Sequence, residues 1–91
     1  MDWDALRTQA GGWNESYELA ASKYAAIILV PVNGEFLARG QFSLGEAFLA
    51  RGKKVVVLNM EARKFEVATD MEENSGGDWK DSYGRAVTIS P

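Results

Sequence analysis

The chain has 91 residues, 46% hydrophobic and 25% charged, with ten Lys/Arg against thirteen Asp/Glu and a net charge of -3. That size and balance predict one soluble globular domain spanning residues 1–91. With no Cys and no His, the chain cannot by itself build a disulfide, a Cys/His zinc site, a thiol nucleophile or a Ser-His-Asp triad.

Residues 2–10 read as a short helix ended by Gly11-Gly12, since glycine adopts the left-handed conformation that closes a helix. A second helix is expected over 14–24. Trp13, Tyr17, Ala20 and Tyr24 fall on one face of it, and Glu15, Glu18 and Lys23 fall mostly elsewhere. Ala25 to Val30 is a continuous apolar run, which predicts a strand buried on both faces, as in a parallel sheet covered by helices. Pro31 stops it, because proline has no N–H for the ladder. Val32 to Phe42 has two glycines and no period, and is expected to be a loop. Ser43-Leu44-Gly45-Glu46 fits a capping box, so a helix is expected over Ser43–Arg51, with Gly52 as its left-handed terminator. Lys53 to Leu58 then reads as a second fully buried strand, with the two lysines at its solvated start.

Strand, helix and strand in this order make a βαβ unit with a right-handed crossover. Phe65–Ala68 is expected as a short edge strand, Asp70–Asp78 as a mobile acidic loop, Trp79–Tyr83 as one helical turn, and Ala86–Ile89 as the last strand. Asp70, Glu72 and Asn74 alternate as in a calcium loop, but Ser75 stands where that loop needs Gly, and no metal is expected. The predicted architecture is α/β: a small Rossmann-like, three-layer domain with a mostly parallel sheet of three or four strands.

Charge and patterning also bound the partners. The longest basic run is Lys53-Lys54, too short for a nucleic-acid face. The apolar run from Tyr24 to Val32 is less than half of the ~20 residues that span a bilayer. Met1-Asp2-Trp3-Asp4 is acidic where a signal peptide is basic, which points to a cytoplasmic protein. A sheet this small with few helices leaves apolar surface uncovered, so a homodimer is expected.

Ligands of open α/β sheets sit beyond the carboxyl ends of the strands. Here that edge comprises Pro31 to Glu46 and Asn59 to Glu61. The ligand-contact candidates are Pro31, Asn33, Glu35, Arg39, Gln41, Ser43 and Asn59. A helix N-terminus with free amides favours a phosphate or carboxylate, and Arg39 adds a bidentate donor. Glu46 is also accounted for by the capping box alone.

The residues Ala25 to Pro31, Gly40 to Ala47 and Arg51 to Val57 resemble the strand, glycine-containing loop, Glu-bearing helix and Gly-Lys-strand layout of nucleoside 2-deoxyribosyltransferase-like families. Related Rossmann-like groups include TIR-type NAD hydrolases. The resemblance spans about residues 14–58. It implies a pocket for a nucleoside- or nucleotide-derived molecule and a carboxylate that attacks the anomeric carbon, a role for Glu46 here. Ungapped alignment on Gly52-Lys53 instead puts Leu44 at the nucleophile position. Three functions follow. The first is binding of a nucleotide-derived molecule without turnover, to sequester or sense it. The second is N-glycosidic bond cleavage or deoxyribosyl transfer with Glu46 as nucleophile. The third is a protein–protein interaction module. None of them calls for a separate cofactor.

Overall fold

A computed structural model describes residues 8–31, 37, 39–71 and 86–91; for Trp13 and Arg39 it describes the backbone. The expectations for Asn33, Glu35, the acidic stretch beyond Met71 and Trp79–Tyr83 lie outside these residues. Residues 8–10 are helical and stop at Gly11, whose φ of +92° is the left-handed conformation expected there. Helix α1 follows over Trp13–Lys23. Its Tyr17, Ala20 and Ala21 are buried, and Tyr24 packs against the same core.

Strand β1 is Ala26–Leu29. Helix α2 is Arg39–Ala50 and strand β2 is Lys54–Asn59. Strands β3, Lys64–Ala68, and β4, Ala86–Ile89, complete a four-stranded sheet in the order β3-β2-β1-β4. β1 and β2 pair in parallel, with Ile27 opposite Val55 and Leu29 opposite Val57. This is the expected βαβ unit. β3 pairs with β2 and β4 pairs with β1, both antiparallel. The sheet is therefore mixed, and the mostly parallel sheet predicted from the apolar runs is corrected.

The reason lies in the connections. Between β2 and β3 the chain has only Met60–Arg63, whereas a parallel crossover needs a dozen residues or more. Asn59 shapes this hairpin: its Oδ1 accepts from the Ala62 N–H at 3.0 Å. Arg63 takes the left-handed conformation, φ 55°, to re-enter the ladder.

Of the three expected layers, the described residues form two. Ile27, Leu29 and Val55 are fully buried and share one core with Tyr17, Ala20 and Ala21 of α1 and Leu44, Ala47 and Phe48 of α2. Both helices thus lie on one side of the sheet. On the other side Ile28, Val56 and Leu58 are only half-buried, so β1 and β2 are not buried on both faces. Among the described residues the domain has two layers.

Helix α2 begins earlier than the capping box implied. Gly40, Gln41, Phe42 and Ser43 are all helical. Ser43 is an interior residue, and the expected cap formed with Glu46 does not exist there. Gly40, Gln41, Leu44, Ala47 and Phe48 form the buried stripe, at the three- and four-residue spacing of a helix. Gln41 is polar, so it hid the first turn of that stripe. The C-terminus is as read: Gly52 has φ 68°. Its N–H donates to the Leu49 carbonyl and the Lys53 N–H donates to the Phe48 carbonyl, both at 2.9 Å. These two bonds are a Schellman cap. Lys53 does more than start a strand. Its Nζ donates to the Ala21 carbonyl in the last turn of α1, where an orphan carbonyl and the negative end of the helix dipole both favour a cation.

Candidate functional site

In a right-handed βαβ unit the helix returns antiparallel to its strands. The first turn of α2 therefore stands at the carboxyl edge of β1 and β2. Three pieces of chain meet at this edge. Val30 and Pro31 leave β1, Asn59 closes β2, and Arg39–Phe42 opens α2. Pro31 and Asn59 each lie two residues beyond the paired Leu29 and Val57.

Gln41 fastens the edge together. It is 0% exposed, and its Nε2 donates to the Val30 carbonyl at 2.6 Å. That carbonyl lies just past the last residue of β1, where no ladder partner follows. The amide thus ties the first turn of α2 to the exit of β1. This gives Gln41, a ligand-contact candidate from its place in the sequence, a positioning role at the edge.

Asn59 is also engaged within the protein. Besides the hairpin bond, its Nδ2 donates to Glu66 Oε1 at 3.3 Å. Lys64 Nζ stands 4.0 Å from the same oxygen. Asn59, Lys64 and Glu66 share the helix-side face of the sheet, because Asn59 pairs with Lys64 and Val57 pairs with Glu66. Reading residues singly missed Lys64 and Glu66. The signal available was the short Met60–Arg63 connection, which sets the hairpin register and brings them beside Asn59.

The remaining candidates distribute unevenly. Pro31 is buried beside Val30, and Ser43 is half-buried inside α2. Arg39 begins α2, and Asn33 and Glu35 lie outside the described residues. Glu46 is exposed, off the stripe of Leu44, Ala47 and Phe48. At 1.5 Å of rise per residue it lies about 10 Å along the helix axis from Arg39. The structure thus gathers Pro31, Gln41 and Asn59 at the edge with the start of α2, and sets Glu46 apart from them.

The charges at the edge are mixed: Glu66 sets a carboxylate beside Asn59, with Lys64 against it. The first turn of α2 contains no acidic residue to oppose the positive end of its dipole. Among the described residues no group of three or more Asp or Glu is placed to hold a metal ion. No helix among them is long and apolar enough to cross a membrane. No protein-family model, curated protein or solved structure matches this chain.

Proposed function

We propose that the chain binds a small nucleoside- or nucleotide-derived molecule at the carboxyl edge of β1 and β2, and releases it unchanged. The observation that carries this reading is the start of α2. A helix of 12 residues opens at Arg39, with no acid in its first turn, beside the carboxyl ends of the only parallel strand pair described. Free N–H groups at such a terminus hydrogen-bond phosphate oxygens, and the dipole favours their charge. The buried Gln41–Val30 bond keeps that turn in place before a ligand arrives, which lowers the ordering cost of binding. Binding without turnover is favoured because Glu46 is exposed and lies about 10 Å along the helix axis from Arg39.

The test is a thermal melt against nucleosides, nucleotides and dinucleotides. A ligand at a hundred times its Kd stabilises the native state by about 2.7 kcal/mol. For a chain of this size that raises Tm by roughly 10 °C or more. Phosphorylated compounds should shift Tm further than their nucleosides, and Arg39→Ala should shrink the difference. Absence of any shift with millimolar nucleotides refutes the reading. Release of free base that disappears in Glu46→Gln would replace it with the glycosidase reading.

A further inference from the structure

The side of the sheet opposite the helices carries an ordered apolar surface. Strand register sets its rows. Val67, Val56, Ile28 and Val87 are consecutive neighbours across all four strands. Ile89 and Ala26 lie in the row on one side, with Lys54, and Leu58 and Phe65 pair in the row on the other. Phe65, Val67, Val87 and Ile89 are 56%, 58%, 53% and 41% exposed.

The edge strands distribute their residues in an unusual sense. β3 turns Glu66 and Ala68 toward the helix side and sends Phe65 and Val67 outward. β4 turns Ala86 and Thr88 toward the helix side and sends Val87 and Ile89 outward. A sheet face meant for water shows the reverse, with polar residues outward. Both edges make the same choice, so the described strands hold their large apolar side chains on the face opposite the helices.

We infer that a second copy of this chain covers it, the two sheets stacking face to face. Such stacking places sheets ~10 Å apart with their inner side chains interdigitated, as rows of apolar side chains on one face allow. The outer halves of four large side chains and the half-buried row between them offer roughly 400–500 Å² per copy. Two faces would bury roughly 800–1,000 Å², against about 1,000 Å² for the smallest specific interfaces. That area fits a concentration-dependent dimer rather than a permanent one. Within the described strands, Lys54 is the one charged residue on this face, at the start of β2, where its stem can reach solvent. A lone cation on a chain of net charge -3 does not suit an anionic lipid surface. The inference is independent of the ligand reading, since the carboxyl edge and this face are separate surfaces.

Sedimentation equilibrium of the full chain tests it. Between about 10 µM and 1 mM, a range that brackets weak association, the average mass should climb from 10.0 kDa toward twice that value. Val67→Lys and Val87→Lys stand on opposite edge strands. Each should weaken the association at least tenfold while far-ultraviolet circular dichroism remains native. A constant mass of 10.0 kDa over that range overturns the inference, even if the chain then partitions onto neutral lipid vesicles. An association weakened by only one of the two substitutions also overturns it, because that is the mark of pairing through one strand edge.

Discussion

The buried tie between α2 and β1 makes a prediction whose size follows from the geometry. Gln41 is fully buried, and its amide donates to the Val30 carbonyl at 2.6 Å. Gln41→Leu keeps nearly the same shape and removes that donor. A buried acceptor left without its partner costs about 1–3 kcal/mol. For a domain of 60–100 residues, about 2 kcal/mol lowers Tm by roughly 8–16 °C. Gln41→Glu separates hydrogen bonding from shape. Its carboxyl can donate to the Val30 carbonyl only when protonated. Burial and the facing oxygen both disfavour the charged form, so its folded pKa lies above the ~4.3 of an unfolded glutamic acid. A group with a raised folded pKa contributes its full stability below the unfolded pKa and loses it as pH rises through the folded one. Gln41→Glu should therefore approach the parent near pH 4 and fall away above it. A deficit of about 3 kcal/mol at pH 7 corresponds to a shift of about two pKa units, so the loss should be spread over roughly pH 4.3–6.5. Urea unfolding followed by circular dichroism from pH 4 to 8 measures this. A constant gap between variant and parent across that range would refute the buried Gln41–Val30 contact.

Two further substitutions probe the ends of the helices. Gly52→Ala forces a side chain into φ 68° with no compensating contact nearby, and should cost about 1–2 kcal/mol in urea unfolding. Gly52→Asn should recover part of that loss, because Asn tolerates the left-handed region. Lys53→Met keeps the apolar stem and deletes the cation at the last turn of α1. It should lower stability by about 1 kcal/mol, and the gap should narrow little in 1 M salt because Lys53 is half-buried. Lys54→Met, at an exposed neighbouring site, should change stability by less than about 0.5 kcal/mol.

How far the fold was legible follows from which rules act locally. The runs Ala25–Val30 and Lys53–Leu58 mark β1 and β2 within a residue or two, because each is a short run rich in β-branched residues bounded by a breaker, Pro31 after the first and Gly52 before the second. Gly52 marks the end of α2, because only a left-handed residue completes the Schellman cap. The start of α2 was obscured by two local signals. Gly40 reads as a breaker and Ser43-Leu44-Gly45-Glu46 reads as a cap, yet burying Gln41, Leu44 and Phe48 on one stripe outweighs both. Strand direction is a property of connections. The antiparallel β3 was available from the length of Met60–Arg63, whereas no residue in Ala86–Ile89 announces that β4 joins the β1 edge. Alternation has the same limit: Lys64-Phe65-Glu66-Val67 shows that one face of β3 is apolar, but not that this face turns away from the helices. For the site, Gln41 was legible as a residue at the edge but not as the bond that holds it. Glu46 stands near a helix start only if the helix begins at Ser43, and it begins at Arg39.

The two proposed surfaces belong to different parts of one small sheet, and this sets how they combine. Ligand would contact the carboxyl edge, where α2 begins; a second copy would contact the rows running through Ile28 and Val56. The four exposed residues of that face belong to the edge strands β3 and β4, while the ligand edge is built by the central pair β1 and β2. Substitutions more than about 7–10 Å apart with no shared partner act additively. Val87→Lys changes neither Gln41 nor the first turn of α2, so it should lower the concentration dependence of Tm yet keep the ligand-induced rise. If ligand binding tightens with protein concentration, linkage requires that ligand also strengthen the dimer by the same factor. Melting curves across both ligand and protein concentration measure that factor directly, and additive effects, a factor near one, are what separate surfaces predict.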